Sequence, residues 1–148
     1  MQAQRIQKSA TISLNAPIDL VFPLFGPIRE KDWADGWDPE IVFLKDPLVE
    51  KHMVFKTRST EVFTWVIVNY EPGNFMIEYL VTASERLWFI TVQCSDSGTK
   101  TSATITYSYT GFNPEANKKN YEAITAMFSS NLEDWQDAIN QYLLTNNQ

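Results

Sequence analysis

Histidine, cysteine and clustered acids are the side chains in this sequence that could support nucleophilic, metal or acid–base chemistry. The chain has one histidine, His52, and one cysteine, Cys94. A His-based triad would have to use His52, and a multi-histidine or multi-cysteine metal site cannot be built. His52 opens a predicted strand on its solvent side, and Cys94 has no histidine near it in sequence, so we expect a structural thiol. We therefore predict no metal site and assign no catalytic residue.

Residues 32–40 are the most acidic loop, with the sequence DWADGWDPE. A calcium loop needs acids at alternate positions before its glycine and a glutamate six residues after it. Val42 occupies that later position, so calcium is excluded. We expect an acidic loop at the rim of a cavity. Its Trp33 and Trp37 are either packing anchors or part of the rim where a ligand enters.

The charged residues of the strands are the remaining candidates for acid–base work. Arg58, Glu61, Glu85 and Arg86 lie at predicted strand ends, where a solvated charge is usual, and Glu78 alternates towards solvent. No pair of carboxylates has a context that would separate their pKa values. No phosphate loop or nucleotide fingerprint is present, so no cofactor is predicted. A buried ionisable group with a shifted pKa would distinguish an enzyme from a binding protein, and the sequence requires none.

Composition bounds the class of protein. The 148 residues fit a single domain, 1–148, large enough to bury a core without disulfides. A net charge of −6 with scattered basic residues disfavours nucleic acid as a partner. No apolar run reaches the length of a signal peptide or a membrane span, so we expect a soluble, cytoplasmic protein without membrane insertion. The sequence does not determine the oligomeric state.

The order of elements predicts an α+β fold. Residues 5–14 alternate as a strand, and two short helices broken near Gly26 follow between Pro17 and Trp33. Period-two segments separated by turn residues then predict an antiparallel meander. These strands lie near 40–45, 51–58, 61–70, 75–82, 85–95 and 99–110.

The stretch from Pro114 to about Leu144 predicts one long helix. It contains no glycine, its only proline stands at the start, and Asn113 can serve as the N-cap. Its apolar stripe recurs every three or four residues, at Tyr121, Ile124, Phe128, Leu132, Trp135, Ile139, Tyr142 and Leu143. Such a helix is roughly 45 Å long and should cover one face of the sheet.

Alternation along the strands predicts the face that meets this helix. The predicted set is Met53, Phe55, Thr57, Trp65, Ile67, Ile77, Tyr79, Val81, Leu87, Phe89, Thr91, Ile105, Tyr107 and Tyr109. Hydroxyls among large apolar side chains are what a pocket for an amphipathic ligand offers. The alternative is a solid core in which the tyrosine tips reach solvent.

Short motifs in this order are similar to those of a known superfamily. The strand that runs into Ala16-Pro17 and a helix reads ISLNAPIDLVFPLFGPIREKDW, and the Gly36-Trp37 step and the turn Tyr70-Glu71-Pro72 come later. The chain resembles the START-like, or SRPBCC, helix-grip proteins, which include plant Bet v 1-like proteins and bacterial polyketide cyclase-like members. The resemblance implies a curved antiparallel sheet of about seven strands around a long C-terminal helix, with a cavity between them.

The leading hypothesis is a small-molecule binding protein with an apolar, aromatic-lined cavity for a lipid, a polyketide or a similar amphipathic compound. One alternative is a cyclase or dehydratase that uses pocket hydroxyls, and another is a protein-interaction module. The predicted ligand-binding residues include Trp33 and Trp37 near the mouth. The full set is Phe22, Trp33, Trp37, Phe55, Thr57, Trp65, Tyr79, Phe89, Tyr107, Tyr109, Phe128 and Trp135.

Overall fold

One antiparallel sheet of seven strands forms the frame of the protein in the computed structural model, which describes residues 3–43 and 49–146. The strands are β1 (Gln4–Leu14), β2 (Glu40–Phe43), β3 (Val54–Arg58), β4 (Val62–Glu71), β5 (Met76–Ala83), β6 (Arg86–Ser97) and β7 (Lys100–Gly111). Their order in the sheet is β1-β7-β6-β5-β4-β3-β2. Strands β2 to β7 thus form a meander, and β1 pairs with β7 at one edge of the sheet. The predicted α+β class is confirmed. The later part of the strand predicted at 40–45 and its Asp46-Pro47 separator lie outside the described residues.

Short helical turns follow β1, as the sequence predicts. Helix α1 (Ile18–Val21) runs into a 3-10 turn at Phe22–Phe25, and a second 3-10 turn covers Arg29–Asp32. Gly26 separates them in an extended conformation, with φ −76° and ψ 155°. Pro23 and Pro27 flank this point and lack the N–H that a continuous helix needs. The predicted break near Gly26 is confirmed.

The C-terminal segment consists of two helices, α2 (Pro114–Met127) and α3 (Glu133–Asn146), where the sequence predicts one. The predicted start is confirmed, because the Asn113 side chain accepts a hydrogen bond from the Ala116 N–H at 2.8 Å. Continuity is lost at Asn131 and Leu132, which have positive φ angles of 53° and 62°. Residues 129–131 are Ser-Ser-Asn, whose side chains compete for backbone hydrogen bonds and weaken a helix interior. Full burial of Leu132 then holds the turn in place.

The inward face of the sheet agrees with the predicted alternation in β5 and β7. The buried residues there are Ile77, Tyr79, Val81, Ile105, Tyr107 and Tyr109. The two helices cover this face, with α2 against β6 and β7 and α3 against β1. Within residues 3–43 and 49–146, no helix has the length and hydrophobicity that crossing a membrane requires.

Strand β6 has the opposite alternation from the one predicted. Leu87, Phe89 and Thr91 do not face the helices; the buried residues are Trp88, Ile90 and Val92. Pairing explains this result, because Ile90 lies opposite Tyr79 on one neighbouring strand and opposite Tyr107 on the other. Directly paired residues share a face of the sheet, so a shift of one residue reverses the whole strand.

Candidate functional site

A cavity of about 350 Å³ lies between the sheet and the elements that cover it. This volume falls at the lower end of the range for sites that bind small molecules. The 3-10 turn at Arg29–Asp32 and the loop after it supply one wall, strands β4 to β7 supply the floor, and α2 and α3 supply the remainder. Most of the lining is aromatic, from Trp33, Trp37, Phe63, Trp65, Tyr79, Trp88, Tyr107, Tyr109 and Trp135.

Seven of the residues predicted from sequence to contact a ligand line this cavity. They come from the acidic loop, from three strands and from α3, and the fold brings them together over long sequence distances. They are Trp33, Trp37, Trp65, Tyr79, Tyr107, Tyr109 and Trp135. Cavity lining that alternation did not predict comes from Glu30, Ala34, Phe63, Arg86, Trp88, Ile90, Val92, Ala123 and Met127.

Phe55 and Thr57 stand behind the cavity wall and support it. The Phe55 ring is fully buried and stacks on Trp65 with ring centroids 5.3 Å apart. Thr57 Oγ1 accepts a hydrogen bond from Trp65 Nε1–H at 2.9 Å. Both residues therefore position the Trp65 ring and do not themselves line the cavity.

Phe22 and Phe128 are also packing residues. The buried Phe22 ring stacks on Tyr70 at 6.2 Å, and Phe128 packs edge-on against Tyr107 at 5.7 Å. Neither ring lines the cavity. Phe89 lies on the opposite face of the sheet because of the β6 register, and Trp88 takes the inward position.

Trp33 and Trp37 serve both of the purposes that the sequence left open. Trp33 Nε1–H donates to the Leu24 carbonyl and Trp37 Nε1–H to the Pro27 carbonyl, each at 2.7 Å. These bonds fix both side chains against the short helical turns that precede them. The ring surfaces of both tryptophans still line the cavity. They are anchored packing residues that also form part of the site.

Arg86 is the buried cation of the cavity, and the expectation that it is solvated is wrong. Arg86 is only 6% exposed. Its Nη2 donates to Glu61 Oε2 at 2.9 Å and its Nη1 to Asn120 Oδ1 at 3.2 Å. The guanidinium also lies 5.0 Å from the Trp88 ring centroid, a distance at which a cation is attracted to an aromatic face. Arg86 Nε has no hydrogen-bond partner among the described residues.

Glu30 is the acid of the cavity, and sequence analysis missed it. It lies on the 3-10 turn at Arg29–Asp32, where it is partly buried and lines the cavity. Burial raises the pKa of Glu30 well above its ordinary value of 4.5. No hydrogen bond or ion pair holds its carboxyl in the part of the chain that the structure describes. Its neighbours in sequence are also charged, so composition alone does not single it out.

The three cavity tyrosines remain neutral. Burial raises the pKa of Tyr79 well above the usual value, and the nearby Glu30 adds to the effect. Burial also raises the pKa of Tyr107, with smaller contributions from Tyr109 and Glu30. The pKa of Tyr109 rises to about 12 through burial, although Arg86 lowers it.

The hydroxyl of Tyr79 already has a partner. It donates to the Phe25 carbonyl at 2.7 Å, which ties β5 to the 3-10 turn at Phe22–Phe25. The hydroxyls of Tyr107 and Tyr109 have no hydrogen-bond partner within the described ranges. A ligand could therefore bond to these two tyrosines without displacing a protein contact.

No protein-family model matches the chain, and no curated protein matches it significantly. Solved structures do match over nearly its full length. A norcoclaurine synthase point mutant from Thalictrum flavum, in complex with a transition state analogue, is similar with a TM-score of 0.73 and 12% identity, covering 100% of this chain and 99% of that one.

Two further structures also match over most of this chain. Zhui aromatase/cyclase from Streptomyces sp. R1128 has a TM-score of 0.69 at 14% identity, covering 99% of this chain and 97% of that one. A protein from the dynemicin biosynthetic locus has a TM-score of 0.63 at 13% identity, covering 94% of this chain and 47% of that one. At these identities the likeness establishes the fold alone. The chain thus has the helix-grip fold of Bet v 1-like proteins, and polyketide cyclase-like structures are among those that share it.

Proposed function

We propose that this protein binds a small amphipathic molecule in the cavity between its sheet and its helices. The observation that carries the proposal is the cavity of about 350 Å³ lined by aromatic rings. A solid core would fill this space, because protein interiors normally leave few voids larger than a water molecule. Structures with the same fold include an aromatase/cyclase and a synthase with a bound transition state analogue, which supports a small-molecule site.

The size and lining of the cavity favour a compact, ring-containing ligand over a long lipid chain. The indole N–H groups of Trp33, Trp37 and Trp65 already donate to protein oxygens. These side chains therefore offer a ligand their ring surfaces, which suits stacking and edge contacts with another ring system.

Arg86 supports a polar group at one end of the ligand. Its Nε–H is buried and has no acceptor in the part of the chain that the structure describes, which is costly unless something else accepts the hydrogen bond. A carbonyl or hydroxyl oxygen of the ligand would satisfy it. The same arginine lowers the pKa of Tyr109. The Tyr109 hydroxyl, which has no hydrogen-bond partner among the described residues, could bond to the same ligand oxygen.

The cyclase or dehydratase alternative that relies on pocket hydroxyls loses support. Tyr79 donates its proton to a backbone carbonyl. The raised pKa values of Tyr79, Tyr107 and Tyr109 make all three weaker acids than an ordinary tyrosine. A general acid works best when its pKa is close to the operating pH. Glu30 is a cavity group whose pKa burial raises, so an enzyme that uses Glu30 as an acid or base is the second candidate. Binding is the function we propose, because it requires only the aromatic-lined cavity.

Native mass spectrometry of the purified full chain, followed by denaturing extraction, tests the proposal. We expect a co-purifying compound, or stoichiometric binding of an added neutral aromatic probe such as 1-naphthylmethanol. Titration calorimetry would measure the affinity for the added probe. A protein that purifies empty and binds no aromatic probe would contradict the proposal.

A further inference from the structure

Glu30 sets a preference for charge in the ligand. We propose that the cavity selects a compact aromatic compound carrying a cationic amine, whose nitrogen lies between the Glu30 carboxylate and the surrounding tryptophan and tyrosine rings. This inference rests on the proposed small-molecule binding function and assigns the chemical class of its ligand.

The first argument is that no cation among residues 3–43 and 49–146 pairs with Glu30. Arg29, its neighbour in sequence, is paired with Asp32 at 2.8 Å. Arg86, the cation that lines the same cavity, is paired with Glu61 at 2.9 Å. Both arginines that could neutralise Glu30 are therefore committed elsewhere. A carboxylate that adjoins an apolar cavity without a partner is costly to the fold, and a bound cation would offset that cost.

The second argument is the arrangement of the rings. Trp37 and Tyr79 both stand perpendicular to Trp65, at interplanar angles of 85° and centroid distances of 5.3 and 5.6 Å. Trp33 and Trp135 form a second corner, with centroids 5.7 Å apart and planes tilted by 57°. Rings at steep angles to one another present faces and edges from several directions, as in the aromatic cages that hold ammonium groups.

The third argument is the division of polar groups within the cavity. Glu30 enters the cavity from the 3-10 turn at Arg29–Asp32, whereas Arg86 begins β6, where it pairs with Glu61 and lies over the Trp88 ring. The acid and the cation thus reach the cavity from different elements. A ligand with an ammonium group at the Glu30 end and an oxygen acceptor at the Arg86 end would satisfy both.

The proposal has a definite dependence on pH. The ionisable groups facing Glu30 are Tyr79 from β5 and Tyr107 from β7, and Arg86 from β6 lines the same cavity. Burial raises the pKa values of both tyrosines, so they stay neutral near neutral pH and Glu30 is the group that titrates. A cation binds the ionised carboxylate, so affinity for an amine should rise as pH increases through the raised pKa of Glu30.

A matched pair of probes tests the inference on the full chain. 1-Naphthylmethylamine and 1-naphthylmethanol have nearly the same shape and differ in charge at neutral pH. We expect the amine to bind at least about tenfold more tightly at pH 7.5. Glu30→Gln should remove this preference by weakening the binding of the amine, so that the two probes bind with similar affinity. Asp35→Asn, which removes an exposed carboxylate from the loop after this turn and lies outside the cavity lining, should preserve the preference.

Each outcome decides a different point. If the alcohol binds as tightly as the amine, or if Glu30→Gln leaves the preference intact, the inference is overturned and the binding function stands. If neither probe binds, the proposed function itself fails and the inference fails with it. Wild-type affinity for the amine measured from pH 5 to pH 8 gives an answer that needs no variant. The amine stays protonated over this range, so an affinity that is unchanged or falls as pH rises would mean that the ionised Glu30 does not attract it, which contradicts the proposal.

Discussion

Glu30 and Arg86 reach the same cavity, but the fold treats their charges differently. Arg86 begins a long central strand, donates to Glu61 and Asn120, and lies over the Trp88 ring. Glu30 sits in a single 3-10 turn and has no cation or hydrogen-bond donor bonded to it among residues 3–43 and 49–146. Arg86 therefore contributes to the cohesion of the sheet and helix, whereas Glu30 reduces stability in the absence of a ligand.

This difference separates a structural charge from one available for function. A buried ion pair with additional hydrogen bonds is costly to disrupt, because the partner that remains is left uncompensated. An uncompensated charge beside a cavity lowers the free energy of unfolding. Proteins commonly tolerate such a loss of stability at functional sites. Three substitutions of charged residues test this distinction, and one substitution of a tryptophan tests which side chains form the cavity.

Arg86→Ala should have the largest effect. Removing the guanidinium leaves Glu61 and Asn120 without their donor and empties part of the cavity wall. The Arg86 side chain is 7% exposed and that of Glu61 is 28% exposed. We therefore expect the free energy of unfolding to fall by about 3 kcal/mol, the lower end of the range of losses for breaking a buried ion pair. Urea denaturation measures this loss, and a cost below about 1 kcal/mol would show that the pair is effectively solvated.

Trp65→Ala should weaken ligand binding more than it weakens folding. The ring is only partly buried, so we expect the free energy of unfolding to fall by about 1 kcal/mol. Affinity for 1-naphthylmethanol should fall about thirtyfold, as expected for the loss of a central aromatic contact. Phe89→Ala is the matched control, because this ring is on the outer face of β6. Equal affinity losses in the two variants would contradict the assignment of the cavity face.

Glu30→Gln should stabilise the free protein, with a gain that depends on pH. The raised pKa means that folding disfavours the ionised carboxyl, so wild-type stability falls as pH rises from about 4.5 through the pKa of the folded state. Relative to wild type, the variant should gain nothing at pH 4 and on the order of 1 kcal/mol by pH 8. Thermal or urea unfolding across this range measures the gain. A variant less stable than wild type at pH 8 would mean that the carboxylate has a stabilising partner.

Arg58→Ala should have the smallest effect. Arg58 pairs with Glu40 at 3.1 Å, but their side chains are 62% and 58% exposed. We expect a change within about 0.5 kcal/mol, as for other exposed pairs. Measured beside Arg86→Ala under the same conditions, this variant isolates the contribution of burial. Losses of similar size in the two variants would remove the distinction between structural and solvated pairs.

The order and type of the elements could be predicted because the sequence encodes them locally. Alternation locates the strands, and the prolines and Gly26 locate the break between the short helical turns. The β6 register could not be predicted with the same confidence because the β5–β6 connection pairs Ala83 directly with Arg86. Glu85 there adopts a φ of 61°, a left-handed conformation that glutamate does not signal. Placing the turn one residue early assigns Phe89 to the cavity in place of Trp88.

The aromatic part of the site could be predicted, and its charged part could not. Trp65, Tyr79 and Tyr107 follow from alternation on strands whose register is clear. Glu30 and Arg86 stand among other charged residues, where solvent exposure is the usual result. Only the packing of a short turn and two helices over the sheet encloses them. The break between α2 and α3 has a weak local signal, the run of poor helix formers at 129–131.

The pairing of the first strand with the last has a consequence for how the chain acquires its structure during synthesis. Ser9 and Thr106, which are hydrogen-bonded at 2.7 Å between β1 and β7, are 97 residues apart. At typical rates of translation, β1 waits about 5–20 s for its partner strand to be made. During that interval its backbone is an unpaired edge, open to association with other chains. The exposed Arg5 and Lys8 on β1 place charge along that edge, so they should limit aggregation of the nascent chain as well as solvating the finished sheet.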